Sequence, residues 1–225
     1  MNTSDMLNYP LIQSLKYHLK WKKVYNETFA DIPDRKVLHK IILPSFAAKS
    51  SVKSVLDIGC EWYNLHHHRL FTKQDYTTID VEKDRKSFGA KQHVTGSAFE
   101  LNRHFKRAKF DLVIVNGLIG NSITKGEELI ELAQQAAYVT KPGGYLLIGW
   151  NQSGNGCPEI SPKSAFEEAG FITSELPDLS SSQYLACSAT QHWFELYQNP
   201  IRSVAIHRPA PQPVAFHPYP SGLSA

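Results

Sequence analysis

The run KSVLDIGC at residues 53–60 is the part of the sequence that decides the fold. It combines apolar and β-branched residues and ends at a glycine and a cysteine. Such a short apolar run is typical of a strand that is buried on both faces of a sheet. Four more runs of this kind follow along the chain, at residues 76–80, 92–95, 110–116 and 144–150. The sequence therefore predicts a sheet of several parallel strands.

Helical patterns alternate with these strands, which favours a sheet with helices on both faces. The clearest helix lies in residues 125–140, where apolar side chains recur on one face. Another helical pattern covers residues 161–171, and the runs 182–189 and 192–198 are close enough in sequence to form a hairpin. We predict an α/β fold with a doubly wound, mostly parallel sheet of seven strands, the last pair antiparallel.

The two ends of the chain differ from this pattern. Leucines recur every four residues from Leu7 to Leu19, which predicts an amphipathic helix over residues 5–27. A second helix is predicted over residues 34–42, ended or kinked by Pro44. Residues 200–225 are rich in proline and cannot form a central strand or an ordinary helix. We expect them to form an extended arm or a flexible tail.

Composition excludes several classes of protein. The 24 basic and 21 acidic residues give a formal net charge of +3, which does not require nucleic acid as a partner. The three cysteines, Cys60, Cys157 and Cys187, fit neither a disulfide framework nor a zinc site. Neither a signal-peptide pattern nor an apolar run of bilayer-spanning length is present. We expect a cytoplasmic protein without a membrane or nucleic-acid partner, and the oligomeric state stays open.

The ends of the strands carry the residues that matter for binding. In a doubly wound sheet, ligands bind at the carboxyl ends of the strands, where the strand order reverses. The second strand ends at Asp80, and an acidic residue there can accept hydrogen bonds from both ribose hydroxyls of a nucleoside-containing ligand. An equally open interpretation is that Asp80 caps the helix that follows.

Residues 34–198, taken in order, resemble the class I S-adenosylmethionine-dependent methyltransferases. VLDIGC (55–60) resembles their first motif, and TTIDVEKDR (77–85) resembles the second, with its ribose-binding acid. GSAFEL (96–101), FDLVIVNGL (110–118) and KPGGYLLIG (141–149) are similar to the segments around the third, fourth and fifth strands. The resemblance implies S-adenosylmethionine as cofactor and a sheet in the order 3-2-1-4-5-7-6 with strand seven antiparallel.

The resemblance also implies a role for individual residues. Asp80 would hold the ribose, Ser97 and Ala98 would flank the adenine, and Asn116 would lie beneath the methionyl part. Asp57 is expected to order the loop more than to touch the ligand. The full set of cofactor-binding residues is Asp57, Gly59, Cys60, Glu61, Asp80, Val81, Gly96, Ser97, Ala98, Asn116 and Gly117.

Glu61 and Tyr63 depart from the family, because its first motif usually carries further glycines at these positions. A Cβ keeps the backbone farther from a ligand and makes positive φ costly, so either the loop follows another path or the cofactor shifts. With Gly59 as the one glycine left, a pyrophosphate would fit badly, which disfavours a dinucleotide. S-adenosylmethionine has no phosphate, so the missing glycines affect its binding less.

Methyl transfer from a sulfonium needs mainly an in-line nucleophile in a water-poor pocket, so a dedicated catalytic residue is not required. If the enzyme does use a catalytic residue, Asn116 and His192 are the candidates for it. No Pro-Pro-aromatic motif and no acidic cluster follow Asn116, which favours a small-molecule acceptor and no metal. His66, His67 and His68 are predicted to form a solvated turn, because consecutive side chains project in different directions; a role of one of them as a base stays open.

We divide the chain into an N-terminal helical lid (1–33), a cofactor-binding domain (34–199) and a proline-rich arm (200–225). Aromatic rings attract a sulfonium cation, although those of the lid could equally pack it on the domain. Two other functions stay open, namely a cyclase or lyase that releases methylthioadenosine and a non-catalytic binding module. The residues predicted to line the acceptor pocket are Tyr17, Trp21, Tyr25, Tyr63, Trp150 and Tyr184.

Overall fold

A computed structural model of the chain describes residues 32–152 and 156–201. The helix predicted over residues 5–27, with its aromatic residues, and nearly all of the proline-rich arm lie outside the described residues. The division of the chain into three parts therefore stays a prediction. Within the described residues, no helix is both long and apolar enough to cross a lipid bilayer.

The described residues form one sheet of eight strands in the order β3-β2-β1-β4-β5-β8-β6, with β7 also paired to β8. The pairs among the first five strands are parallel, whereas β8 is antiparallel to β5, β6 and β7. The strands are β1 (Ser54–Ile58), β2 (Asp75–Asp80), β3 (Gln92–Thr95), β4 (Phe110–Asn116), β5 (Thr140–Asn151), β6 (Ile172–Thr173), β7 (Gln183–Cys187) and β8 (His192–Gln198).

The predicted strand order is confirmed. The run at residues 192–198 lies antiparallel beside the fifth strand, and the run at residues 182–189 contributes the strand beyond it. The prediction lacked β6, which also pairs with β8, at Tyr197 and Gln198. Two residues are too few to produce a periodic pattern in the sequence, so this strand could not be recognised.

Helices cover both faces of the sheet, as expected from the continuously apolar strands. Between them lie a π-helical turn at Leu38–Ile42 and 3₁₀ turns at Trp62–His66, Lys83–Phe88 and Ala98–Glu100. The α-helices are α1 (Pro33–Val37), α2 (Leu43–Ala48), α3 (His67–Leu70), α4 (Leu101–His104), α5 (Gly126–Val139) and α6 (Pro162–Glu168).

Alternate residues of each strand point into two separate cores. On the face covered by α1 and α2, Val55, Ile114 and Phe194 pack against helix residues such as Phe46. On the opposite face, a second core includes Leu132 of α5. Each fully buried side chain of this size stabilises the fold by about 1.5–3 kcal/mol. The two-residue alternation places Asp57, Asn116 and Asn151 on the α1 face, at the carboxyl edge of the sheet.

Of the two outcomes predicted at Pro44, an end or a kink of the helix, the end is wrong, because the helical path continues to Ala48. Proline has no amide hydrogen, and its ring crowds the carbonyl four residues earlier. The chain widens into the π-helical turn just before it, where the amide of Leu43 donates to the carbonyl of Leu38. A wider turn makes room for the ring of Pro44, so the helix can pass it.

Candidate active site

A cleft of about 610 Å³ opens at the carboxyl ends of β1, β2, β3 and β4. Its walls are the segments that follow these four strands. The chain leaves β1 toward β2 on one side, while β4 lies on the other side, so the strand order reverses beside the cleft. This is the place at which doubly wound sheets bind their ligands.

Gly59 starts the first wall and has a left-handed backbone with φ of +89°. Its amide donates to the carbonyl of Ile79, and its carbonyl accepts from the Asn64 side chain at 3.0 Å. A Cβ at this position would also lie 3.2 Å from the side chain of Leu118. Both the backbone angle and the close approach therefore require glycine here.

Asp80 lies at the end of β2 and holds two segments of the cleft together. Its Oδ2 accepts a hydrogen bond from the backbone amide of Cys60 at 2.6 Å, and its Oδ1 accepts one from the amide of Glu82 at 2.8 Å. A carboxylate oxygen can accept more than one hydrogen bond, so both oxygens keep capacity for a ligand. Glu82, and not Asp80, is the residue that precedes the 3₁₀ turn at Lys83–Phe88. Asp80 thus links two walls rather than capping that turn.

The two residues at the expected glycine positions adopt ordinary backbone conformations. Glu61 is extended with φ of −122°, and Tyr63 lies within the 3₁₀ turn that follows. Neither has a left-handed backbone, so the loop avoids the strain that a Cβ would cause at a positive φ. Glu61 pairs with Arg85 at 2.7 Å, and the guanidinium of Arg35 lies 4.1 Å from the ring centre of Tyr63. Burial raises the pKa of the Tyr63 phenol, although Arg35 opposes this effect.

The wall after β3 is mostly apolar. Ser97 uses its side chain to accept from the amide of Phe99 at 3.1 Å, so it caps the 3₁₀ turn at Ala98–Glu100. Ala98 and Phe99 lie beside it in the cleft wall. Val81, which directly follows β2, also lines the cleft and is 65% exposed. These side chains offer two apolar surfaces for a flat ring.

Asn116 ends β4 and has an unusual environment. Its side chain is 7% exposed, yet neither its oxygen nor its nitrogen has a hydrogen-bond partner among the described residues. Gly149 lies opposite on β5, and a Cβ there would overlap the amide oxygen of Asn116. An unpaired buried polar group costs about 1–3 kcal/mol, so this amide does not stabilise the fold, and both of its polar atoms keep their hydrogen-bonding capacity.

Most of the residues predicted from the sequence come together in the cleft. Asn64, Glu82, Arg85 and Phe99 were missed, because they become neighbours of the site only through the turns that follow β1, β2 and β3. The predicted residues that line the cleft are Gly59, Cys60, Glu61, Tyr63, Asp80, Val81, Gly96, Ser97, Ala98, Asn116 and Gly117.

Four predicted residues do not line the cleft. Trp150 points into the core on the α5 face, where its indole nitrogen donates to Glu195 at 3.0 Å. Tyr184 lies partly exposed on β7. His192 is buried beside Asn151, and Asp57 is buried beneath the first loop. Trp150 therefore differs from the prediction that it faces the acceptor pocket, since the alternation along β5 turns it to the opposite side.

Asp57 belongs to a buried network that ties β1 to β2 and α3. Its Oδ2 accepts from the Tyr76 hydroxyl and lies 2.7 Å from Nδ1 of His67, whose Nε2 lies 3.1 Å from Nε2 of His39. The prediction that residues 66–68 form a solvated turn is wrong, because helical geometry turns His67 fully into the interior. Burial, and then the charge of His67, lower the pKa of His39 far below its ordinary value. Among the described residues, no group of acidic, histidine or cysteine side chains is arranged to hold a metal ion.

No model of a known protein family matches the sequence, and no curated protein matches it either. Solved structures do match. The N-methyltransferase NodS from Bradyrhizobium japonicum has a TM-score of 0.58 and 17% identity over 77% of this chain and 100% of its own. NodS has also been crystallised with S-adenosylhomocysteine.

Two further structures show the same likeness. The cyclase SpnF has a TM-score of 0.57 and 14% identity over 75% of this chain and 82% of its own. A Burkholderia thailandensis 1,6-didemethyltoxoflavin-N1-methyltransferase, solved with 1,6-didemethyltoxoflavin and S-adenosylhomocysteine, has a TM-score of 0.54 and 12% identity over 87% and 92% of the two chains. The chain therefore has the Rossmann-like fold of the class I S-adenosylmethionine-dependent methyltransferases.

Proposed function

We propose that the protein binds S-adenosylmethionine in the cleft and transfers its methyl group, without a metal, to a small-molecule acceptor. The observation that carries this proposal is the position of Asp80, whose carboxylate is held at the end of β2 by the amides of Cys60 and Glu82 and still faces the cleft. A carboxylate fixed in this way is suited to accept hydrogen bonds from the two hydroxyls of a ribose.

The other walls fit the remaining parts of the ligand. Val81 on one side and Ala98 with Phe99 on the other would enclose the adenine between apolar surfaces. The unpaired amide of Asn116 can both donate and accept, which suits the amine and carboxylate of the methionyl part. A volume of about 610 Å³ lies within the range of small-molecule sites, about 300–1,000 Å³.

The charge of the cleft favours a cation. Among the residues that line it, Glu61, Asp80 and Glu82 are acidic and Arg85 is basic. Excess negative charge in a cleft raises the local concentration of a positive ligand. S-adenosylmethionine is such a ligand, since its sulfonium carries a positive charge that S-adenosylhomocysteine lacks.

When bound, S-adenosylmethionine supplies an electrophilic methyl group. The described residues contribute orientation and exclusion of water, because Asp80 and Asn116 lie on neighbouring walls and fix a ligand at two points. The similarity to SpnF keeps a second candidate, in which the same cleft serves a cyclisation.

Mass spectrometry of the products formed from S-adenosylmethionine, with and without a library of small molecules, tests the proposed function. We expect S-adenosylhomocysteine to accumulate when an acceptor is present. Methylthioadenosine as the product would instead support a cyclase or lyase that consumes S-adenosylmethionine, whereas a [4+2] cyclisation like that of SpnF would leave the cofactor unchanged. Tight binding without either product, across the whole library, would contradict enzymatic methyl transfer.

A further inference from the structure

A second cavity, of about 510 Å³, lies at the opposite end of the sheet from the cleft. Arg107 comes just before β4, Tyr138 lies in the last turn of α5, and Pro142 lies near the start of β5. The cleft lies at the carboxyl end of β4, and a strand of seven residues is about 20 Å long, so the two cavities are separate. The proposed function does not use this second cavity.

The chain is fixed at the wall of the second cavity directly before residues 202–225. The side chain of Asn199 donates to the carbonyl of Thr140 at 2.8 Å, and its backbone amide donates to a carbonyl of β5 at 2.9 Å. Pro200 comes next and lines the cavity, and Ile201 is 78% exposed. The proline-rich residues that follow therefore start at the rim of this cavity.

The second cavity offers hydrogen-bond donors. Arg107 carries five N–H groups and no acceptor, and the side chains of Gln134 and Tyr138 can donate as well. The backbone carbonyl of Tyr138 already accepts from the amide of Ala108 at 2.9 Å, as that of Thr140 does from a side chain. The cavity therefore favours a ligand that is rich in acceptors and poor in donors.

Residues 209–216, with the sequence PAPQPVAF, have this chemistry. Three of the first five are proline, which has a carbonyl but no N–H. Such a sequence favours the polyproline II helix, whose carbonyls make no internal hydrogen bonds. The segment carries no charge, so Arg107 does not repel it. Proline-rich segments bind grooves lined by aromatic rings, and Tyr138 provides a ring here.

The linker between the cavity wall and this segment is long enough for the segment to turn back. Pro209 follows Pro200 by nine residues, and a flexible linker of this length has an end-to-end distance of about 15–18 Å. Short flexible linkers give effective concentrations in the millimolar range. A weak interaction, with a Kd of about 0.1 mM, would then keep the cavity about 90% occupied.

We propose that residues 209–216 bind in the second cavity of the same molecule, with their prolines against Tyr138 and Pro142 and their carbonyls bonded to Arg107. The inference concerns a different part of the molecule from the proposed function and does not depend on it. A segment bound there lies about 20 Å from the cleft along β4, so it takes no part in closing the cleft over a ligand.

Nitrogen-15 relaxation in the full chain measures whether the segment is bound. Ala210, Gln212 and Val214 supply amides between and after its prolines. We expect order parameters above about 0.7 for these amides, since rigid backbone gives about 0.85 and flexible backbone less than about 0.6. Lower values than this threshold in the wild-type protein would overturn the inference.

Two variants test the contacts on each side. Tyr138→Ala removes the ring from the cavity, and the serine variant, with Pro209→Ser, Pro211→Ser and Pro213→Ser, removes the prolines outside the described fold. We expect both to lower the order parameters of the same amides below about 0.6. Tyr184→Ala is the matched control, because this tyrosine is partly exposed on β7 outside the cavity, and it should leave them unchanged. Unchanged order in the serine variant would overturn the inference.

Dilution separates binding within one molecule from binding between two copies. Docking within one molecule does not depend on protein concentration, so the order parameters should stay the same over an about tenfold dilution. A loss of order on dilution, matched by dissociation of a dimer in sedimentation velocity, would assign the cavity to the segment of a second copy. That result would also overturn the inference.

Discussion

The backbone amide of Cys60 donates a 2.6 Å hydrogen bond to Oδ2 of Asp80, and this bond ties the loop after β1 to the end of β2. Hydrogen bonds from amides to a carboxylate are shorter and stronger than those between neutral groups. The bond therefore fixes the acid and the loop before any ligand arrives. The cleft is preorganised at the position where a ribose would bind, which reduces the entropy lost on binding.

Replacing Gly59 by alanine should destabilise the protein. The substitution forces an L-residue into a φ of +89° and brings its Cβ to 3.2 Å from Leu118. A strained backbone of this kind costs about 1–3 kcal/mol. Gly117→Ala is the matched control, since Gly117 has a φ of +84° but no atom near its Cβ position. Urea unfolding should show a larger loss for Gly59→Ala; equal losses would mean that Leu118 moves aside without cost.

Asn116→Ala should weaken binding of the cofactor product without a matching loss of protein stability. The substitution removes a buried amide without partners, so we expect the free energy of unfolding to fall by less than about 1 kcal/mol or to rise. Calorimetry should show that S-adenosylhomocysteine binds at least fivefold more weakly. A large loss of stability with unchanged affinity would assign Asn116 to the fold alone.

Gly149→Ala should be destabilising because its methyl group would overlap the amide of Asn116. Combining it with Asn116→Ala should recover part of the loss, since the overlapping atoms are gone. Residues in contact commonly show couplings of about 0.5–3 kcal/mol in a double-mutant cycle. Additive losses in urea unfolding would show that the ring of Phe194, and not Asn116, sets the requirement for glycine.

The pH dependence of stability should follow the buried histidines. Burial lowers the folded-state pKa values of His39 and His192, the latter to about 4, so below pH 6.5 the unfolded chain binds more protons than the folded chain. Above pH 6.5 both histidines are neutral in the folded and the unfolded chain, so the full stability is present there. The free energy of unfolding falls as the pH drops below 6.5, because the unfolded chain takes up protons that the folded chain does not. Each group contributes up to about 1.4 kcal/mol per pH unit in that range. Urea unfolding at pH 7.5 and 5.5 should show a smaller difference in His192→Gln than in the wild type.

The charge of the cleft predicts different responses of the two ligands. Glu82→Gln removes one negative charge, which should weaken S-adenosylmethionine more than the neutral S-adenosylhomocysteine. Arg85→Gln removes a positive charge, so it should raise the ratio of the affinity for S-adenosylmethionine to the affinity for S-adenosylhomocysteine. An exposed charge contributes about 0.2–1 kcal/mol, so changes of up to about fivefold are expected at low salt. Calorimetry with both ligands measures the ratio, and identical shifts for the two would argue against electrostatic selection of a cation.

The sequence predicted the parts of the fold that local patterns encode. Strands such as β4 and β8 have the bounds expected from their apolar runs, because burial on both faces leaves few other arrangements. The path of the chain past Pro44 could not be foreseen, since it depends on a π-helical turn that accommodates the ring. The burial of His67 was missed for a similar reason, because its partner Asp57 lies on a different element.

Some residues of the candidate site could likewise be predicted from the sequence, and others could not. Asp80 and Asn116 were recognisable because each ends a strand whose pattern is clear. Arg85 and Glu82 were not, because the turn after β2 has no periodicity that tells which side chains face inward. The pairing of His192 with Asn151 follows from the register of β5 with β8, which two separate strand patterns do not specify.

Calorimetry of S-adenosylhomocysteine binding to the wild type, Asp80→Asn and Asp84→Asn is the most direct test of the central claim that Asp80 holds the ribose of a bound cofactor. Asp84 is exposed and outside the cleft, so its substitution is a control for the loss of one charge. We predict at least tenfold weaker binding in Asp80→Asn and wild-type affinity in Asp84→Asn. Equal affinity in all three proteins, or no binding by the wild type, would contradict the claim.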